Sequence, residues 1–520
     1  MKSINHVKQK NTKFCSQIIS YFLAIFLATI NMIRRLLSTF IDFPSTTNHH
    51  DYFKPTDMKT QKRYNYWPLE NFSFLFDMTP CFPVNSSNIR IISEPSDFYD
   101  SILRNASAAK YRISFASLYL GIGKMESDLV KAIQTNITEN DDLKVNILLD
   151  FTRGTRGKKN SKSMIMPLVE QSRNCNLSLY HTPMLRGITK KLAPARWNEL
   201  LGLQHMKIYI FDDVLILSGA NLSNDYFTNR QDRYIEIKDI NVSNFFNDVI
   251  GKVQEFSMQV DANGDTRMHE SWNLLPYESS YKEFVIEAQR RFKEFFKTVY
   301  DKQNNIHDFD ETADTWIFPT IEMGQIGIHH DSLVSNKLLF SGEEGSTLKM
   351  TSGYFNLTQT YMDSLVKKCK ADCSIIMAHP NANGFKGSKF PSGGIPDAYS
   401  LIARKFYEQI KENGQESRFS LLEYERDNWT YHAKGLWYHL NGSKLPCMTV
   451  IGSSNYGERS VHRDLEAQIC LVTVNKELQK SLKTEYDHLF RYSETAEKQL
   501  LQRLIPNWVK GVVFFFKKFF

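Results

Sequence analysis

The sequence predicts an α/β protein of two similar lobes, each a mostly parallel mixed sheet flanked by helices, that share one functional site. Three observations predict it. A histidine-lysine pair occurs twice, as His205-Met-Lys207 and His432-Ala-Lys434, and each is followed by a small-residue loop ending in asparagine, Ser218-Gly-Ala-Asn221 and Gly452-Ser453-Ser-Asn455. A strand-helix-strand order repeats upstream of each pair. An arginine-acid stretch follows each asparagine, Arg230 to Glu236 and Arg463 to Glu466, and leads into an apolar strand.

The elements follow in chain order. Residues 1–40 hold Lys2, Lys8, Lys10, Lys13, Arg34 and Arg35, an uncharged run over 14–33 and no acid before Asp42. This is the composition of a mitochondrial presequence; the uncharged run also reaches the ~20 residues of a bilayer span, so a membrane anchor is the alternative and a secretory signal a weaker one. Residues 41–88 read as a linker. The first lobe, 89–270, opens with a buried strand over 111–120 (YRISFASLYL), a helix over 126–133 and a second strand over 144–150 (KVNILLD). A connecting segment, 271–310, is built on an amphipathic helix over 281–300. The second lobe, 311–495, repeats the order with a strand over 348–355, a helix over 358–370 and a strand over 372–378. The tail, 496–520, ends in WVKGVVFFFKKFF, too short to span a bilayer but suited to a membrane interface, or to packing on the protein itself.

The doubled pairs carry the chemistry. Alternation along a strand puts His205 and Lys207 on one face, as it does His432 and Lys434, so each pair presents a nucleophile or base beside a fixed cation. Phosphoryl transfer needs a nucleophile, a group that manages protons, and neutralisation of the non-bridging oxygens. Two imidazoles, two ammonium groups and the donors Asn221, Asn455 and Ser453 supply that set without a metal, and divalent-cation dependence stays open. Glu236 and Glu466 are the candidates to hold an imidazole in one tautomer; strand-end ion pairs are the alternative for either.

At these residues the chain resembles the phospholipase D superfamily, whose signature is His-x-Lys, four residues, Asp, then a Gly/Ser loop with Asn. The first motif matches through Asp212. The second has His439 in place of the acid, and Asn455 trails His432 by 23 residues where Asn221 trails His205 by 16, a difference that an extended hairpin over 440–446 would absorb. The resemblance implies paired motifs around a pseudo-twofold axis, a phosphohistidine intermediate, and a catalytic set of His205, Lys207, Asp212, His432 and Lys434.

Four segments are also similar to the mitochondrial phosphatidylglycerophosphate synthase family: ASLYLG from Ala116, LLDFTRGTR from Leu148, GLQHMKIY from Gly202 with SGANLSNDYFTNRQDR from Ser218, and YHAKGLW from Tyr431 with GSSNY from Gly452. That similarity implies transfer of the phosphatidyl group of CDP-diacylglycerol to sn-glycerol 3-phosphate, on the way to phosphatidylglycerol and cardiolipin. It also implies an inner-membrane enzyme of the mitochondrion, matrix side. One histidine would attack phosphorus and expel CMP while the other deprotonates the acceptor; the sequence does not assign the two roles.

Two further stretches are candidates. Arg153 and Arg156, beyond the strand ending at Asp150, suit the acceptor's phosphate. Gly121-Ile-Gly123-Lys124 invites a nucleotide-phosphate reading, but it lacks the full spacing of either phosphate-loop motif and also fits an ordinary strand-to-helix turn. The excess of 64 basic over 57 acidic residues favours anionic surfaces. Nucleic acid is disfavoured, since no zinc module or aromatic-basic stripe accompanies that charge. Seven scattered cysteines read as reduced thiols. Three other functions compete: a phospholipase D type hydrolase, another phosphodiesterase, and a scaffold, which would be expected to have lost one of the four motif residues.

Overall fold

The computed structural model describes residues 69–187, 190, 201–304 and 312–516; the expected targeting segment or anchor, most of the expected linker and the last four residues lie outside them. Two mixed sheets carry the fold. The first runs, edge to edge, Thr266–Met268, Met258–Val260, Cys175–Tyr180, Lys144–Asp150, Arg112–Ser117, Ile208–Phe211, Val214–Ser218, Tyr234–Lys238 and Ile89–Ile92. The second runs Phe82–Val84, Thr315–Met323, Leu465–Thr473, Met448–Gly452, Lys434–His439, Thr347–Ser352, Asp372–Ala378, Phe419–Tyr424 and Ser493–Thr495, with Ile328–His329 beside Thr315–Met323.

From Cys175–Tyr180 to Tyr234–Lys238, and from Phe419–Tyr424 to Leu465–Thr473, six strands repeat in the same spatial order and the same sense. The parallel pairings are fewer than the sequence suggests, three strands in each sheet. The strand behind each motif pair returns through a hairpin, which only antiparallel neighbours can share. In the first lobe that hairpin turns on Asp212-Asp213, with Asp212 in the left-handed region at φ 54°. In the second it is the longer loop expected from the spacing, between His439 and Met448.

Two predicted strands are shorter than expected, Arg112–Ser117 and Thr347–Ser352, while Lys144–Asp150 and Asp372–Ala378 fall as read. The first helix extends over Lys124–Glu139, and the second lobe's counterpart is a short α-turn, Gln359–Asp363, continuing as a wider π-turn, Ser364–Lys368. The connecting helix, Tyr281–Asn304, buries Phe284, Val285, Ala288, Phe292, Phe295 and Phe296 in a core that also takes Ile208 and Ile235 of the first sheet and Ile317 and Ile469 of the second.

Part of the expected linker is no linker. The turn Glu70–Asp77 buries Phe72, Leu75 and Phe76 against Phe318, Leu338 and Tyr438, and Phe82–Val84 pairs with Thr315–Met323. Its apolar residues lack both helical and strand periods because the turn is a tight 3₁₀ one. Across the lobes, Arg233 is buried against Glu485 at 2.8 and 2.9 Å, donates to the Val450 carbonyl and Thr449, and lies over the Trp437 ring at 3.8 Å. Gly435, at φ 130°, leaves the space its guanidinium fills.

Candidate active site

Each motif histidine is fixed by the other lobe's backbone. The His205 N–H donates to the Leu465 carbonyl at 2.9 Å, and the His432 N–H to the Gln231 carbonyl at 2.8 Å, beside the parallel pairing of Arg230–Gln231 with Thr430–Tyr431. The residue after each carbonyl is an acid. Asp232 therefore meets His432, with Nδ1 2.6 Å from Oδ2, and Glu466 meets His205, with Nδ1 2.9 and 3.0 Å from its two oxygens. Both carboxylates are buried. With Nδ1–H donating to a carboxylate, each imidazole keeps its Nε2 lone pair, and at His432 the Nδ1 edge also meets Lys434 Nζ at 2.7 Å.

The lysines lie inside this frame. Lys207 Nζ donates to the His205 carbonyl at 2.6 Å; Lys434 Nζ donates to the His432 carbonyl at 2.6 Å and sits 3.6 Å from Asp232. A Cβ on Gly219 would lie 2.6 Å from Asp232 Oδ1 and 2.8 Å from Lys434 Nζ, so the first loop needs glycine where the second lobe's lysine reaches across.

Burial sets the electrostatics. It drives His205 and His432 well below the usual histidine range, and Lys207 and Lys434 respectively push further in that direction, so both rings are neutral at physiological pH. Burial also lowers both lysines, against the pull of Glu466 on Lys207 and of Asp232 on Lys434. It raises Asp232 to about 6 and Glu466 to about 7, opposed by Lys434 and Lys207.

The structure sorts the remaining sequence candidates. Asp212 is not part of the site: it turns the hairpin at the far end of its strand, roughly 16 Å of extended chain beyond Lys207, and its carboxylate accepts from the N–H groups of Lys110, Tyr111 and Arg112 at 2.8 to 3.0 Å. His439 occupies the matching outer end opposite Thr347, which is why an acid can be missing there without altering the histidine frame. Glu236 faces away, bound to Arg90 and Ser101, and does not orient a histidine. Ser453 Oγ accepts from the Ala467 N–H at 3.1 Å and also bonds the Glu466 carboxylate, so it braces the acid that holds His205.

Asn221 and Asn455 are buried, and their side-chain oxygens have no hydrogen-bond partner among the described residues. These orphan atoms are acceptors, whereas a phosphate oxygen would need the Nδ2 donors of the same amides. The Gly121 and Gly123 turn holds no phosphate: a Cβ there would meet the Glu126 carboxylate at 2.1 and 2.6 Å, so an anion already fills the glycine cradle, and Lys124 pairs outward with Asp128. Arg153 lies 4.6 Å over the Tyr119 ring, and its N–H donates to Asp150, which also accepts from Gln204 N next to His205. The Arg153-to-Arg156 turn thus borders the site.

Asp232 was missed although the spacing contains it: Asp232 trails Asn221 by eleven residues, as Glu466 trails Asn455. The arginines drew the alignment to Glu236 instead. Also unforeseen are Tyr226, whose hydroxyl is 3.3 Å from His432 Nε2, and Tyr354, whose ring meets His432 edge-on at 5.3 Å.

This crossed pair of histidines on a duplicated sheet sets the comparison with known proteins. The chain is 40% identical over 482 residues to the Homo sapiens protein named "CDP-diacylglycerol–glycerol-3-phosphate 3-phosphatidyltransferase, mitochondrial", covering 87% of this chain and 86% of that one. The Saccharomyces cerevisiae protein of the same enzyme name is 35% identical over 474 residues, covering 85% and 90%. The chain belongs to the CDP-diacylglycerol–glycerol-3-phosphate 3-phosphatidyltransferase family. A Dictyostelium discoideum protein named as a probable member is 40% identical over 455 residues, covering 84% of this chain and 78% of its own. In solved structures the fold is shared with phosphatidylserine synthase of Haemophilus influenzae, at TM-score 0.64 and 17% identity, over 84% of this chain and 94% of that one. No protein-family model matches the chain.

Within this phosphatidyltransferase chain, His205, Asp464 and Glu466 bring possible metal-donor atoms within 4.8 Å of one another. Those donors are already engaged: Asp464 accepts from Leu203 N and Arg459, and Glu466 accepts from His205 and Ser460. The set therefore works as a hydrogen-bonded frame for the phosphatidyltransferase histidine.

Proposed function

We propose that the chain transfers the phosphatidyl group of CDP-diacylglycerol to sn-glycerol 3-phosphate, giving phosphatidylglycerophosphate and CMP, at the mitochondrial inner membrane on its matrix side. This is the committed step toward phosphatidylglycerol and cardiolipin. The family membership supports the substrates, and the observation that carries the mechanism is the pair of neutral imidazoles, each anchored at Nδ1 by a buried carboxylate of the other lobe.

His205 is the nucleophile in this reading. Its side chain is 13% exposed against 4% for His432, whose Nε2 faces the Tyr226 hydroxyl. Nε2 of His205 attacks the lipid-side phosphorus; the nitrogen-phosphorus bond forms, and CMP leaves with the bonding electrons of its oxygen, needing no proton. The primary hydroxyl of glycerol phosphate then attacks the same phosphorus while His432 Nε2 takes its proton, and the bonding pair returns to His205. Asp232 stabilises the His432 imidazolium until the proton leaves to solvent. Lys207, Lys434, Asn221 and Asn455 hold the non-bridging oxygens. The Arg153-to-Arg156 turn takes the acceptor's phosphate. No step is routed through a metal; a divalent cation, if it stimulates, acts at the lipid surface.

The test is purified protein with labelled CDP-diacylglycerol in mixed micelles, with and without glycerol 3-phosphate. CMP release that depends on the acceptor and yields phosphatidylglycerophosphate is expected. CMP and phosphatidic acid formed equally without it would make the protein a hydrolase. A labelled phosphatidyl group retained on the parent when glycerol 3-phosphate is withheld, but absent from a His205→Ala variant, would support the nucleophile assignment.

A further inference from the structure

Among the described residues no helix is long and apolar enough to cross a membrane, and a lipid substrate calls for a surface of the lobes themselves that faces the bilayer. Of the ten large hydrophobic side chains that stand exposed among the described residues, five belong to the C-terminal segment or touch it: Phe390, Leu501, Leu504, Trp508 and Phe514. Leu504 is 92%, Phe390 79% and Phe514 75% exposed. The helix Asn507–Phe516 buries Val509 and Val513 against Ala398, Leu401 and Ile402, and turns Trp508 and Phe514 outward. Phe390 joins it, with its ring 5.2 Å from Trp508. Lys386, Lys389 and Lys510 are exposed among these rings, and the sequence continues with Lys517-Lys518-Phe519-Phe520.

This segment leads to the site. A Cβ on Gly394 would collide with the Trp508 ring, so glycine seats that helix against the start of Ile395–Glu412. Tyr399 of the latter stacks on Tyr354 at 5.5 Å, and Tyr354 meets His432 at 5.3 Å. We propose that Phe390, Leu504, Trp508 and Phe514, with Lys386, Lys389 and Lys510, dock the chain on the interface of an anionic bilayer, placing the mouth of the site at the headgroup level. The proposal rests on the lipid-substrate reading above. Exposed apolar rings that interleave with lysines match an interface with an acyl boundary below and negative headgroups above, where the lipid substrate itself resides.

The test uses the full-length chain with Cys15→Ser and Phe514→Cys, labelled with an environment-sensitive fluorophore; the six described cysteines are all buried. Vesicles of phosphatidylcholine with phosphatidylglycerol should shift the label to the blue, and phosphatidylcholine alone should do so far less. In parallel, a Phe390→Ser, Trp508→Ser, Phe514→Ser variant should turn over vesicle-embedded CDP-diacylglycerol at least about tenfold more slowly. It should match the parent on a short-chain, monomerically dispersed CDP-diacylglycerol. A Lys386→Glu, Lys389→Glu, Lys510→Glu variant should bind anionic vesicles on the order of a hundredfold more weakly. A label that does not respond, one already shielded without vesicles because another part of the chain covers it, or equal loss on both substrates would overturn the proposal. If the parent turns over neither substrate while the label still responds, the reaction assignment fails and the docking surface stands.

Discussion

Asp232 of the first lobe holds the imidazole of His432 of the second at 2.6 Å, and Glu466 of the second holds His205 of the first at 2.9 Å. Neither lobe makes a working histidine alone. The exchange is built by backbone pairing: the carbonyls of Gln231 and Leu465, one residue before each acid, accept from the histidine N–H groups, so acid and base are set by the same ladder.

The crossing predicts which acids matter. Asp232→Asn and Glu466→Gln each remove the carboxylate that fixes a tautomer and stabilises the imidazolium, and each should lower kcat by about 10²–10⁴-fold with little change in KM. Glu236→Gln, whose carboxylate binds Arg90 and Ser101 outside the site, should leave kcat near the parent value. A kcat for Glu236→Gln as low as that of Asp232→Asn would refute the assignment.

The same carboxylates set the pH dependence. Both histidines stay neutral across the physiological range, so the acid limb of kcat/KM belongs to ionisation of Asp232, near 6, and Glu466, near 7. Activity should rise with pH through that window. Their contribution to stability moves the other way. Burial raises these groups from ordinary values of 3.8 and 4.5, so the folded chain keeps protons that the unfolded chain has released, and what they contribute falls as pH climbs toward 7, while the buried neutral histidines, His205 and His432 among them, contribute in the opposite sense. Glu322, raised to about 7, adds in the carboxylates' sense. Urea midpoints of the parent and of Asp232→Asn, measured from pH 4.5 to 7.5 (about the same window), isolate that contribution for Asp232, and a parent that gains on the variant as pH rises would sink the argument.

Asp212 should be a stability residue. Asp212→Ala leaves three strand-end N–H groups without their acceptor and places alanine at φ 54°, at a cost of about 1–3 kcal/mol. Activity per folded molecule should persist, as a denaturation curve and an active-site titration on the same preparation would tell.

The duplicated sheet and the four motif residues were legible because their signals are local: alternation on a strand, a two-residue offset, and a loop of small residues. The identity of the orienting acid was half legible, since Glu466 was found and Asp232 was lost to a neighbouring arginine pattern. What escaped is what tertiary packing alone creates. Glu126 filling the Gly121-to-Gly123 turn, Tyr354 laid on His432, and the segment from Glu70 to Val84 crossing to cover the second sheet all join residues with no shared period along the chain. Asp212 shows the converse: a motif position can be strongly patterned and still serve the hairpin, since the turn needs an acceptor and a residue that tolerates positive φ.

Arg233 should prove the strongest single tie between the lobes. Its guanidinium is buried with Glu485 and over Trp437, and it also satisfies the Val450 carbonyl and Thr449. Arg233→Met strands the Glu485 carboxylate in an apolar interior and should cost about 3–5 kcal/mol, well beyond the loss from an exposed pair. Adding Glu485→Leu removes the stranded charge and should recover most of that cost. Recovery will be incomplete, because the Trp437 Nε1–H, 3.0 Å from Glu485, then loses its acceptor. Chemical denaturation of the parent, both single variants and the double variant closes the cycle. Additive losses would mean that the pair is not coupled and that the apolar core around the Tyr281–Asn304 helix and the backbone pairing at the two histidines hold the lobes without it.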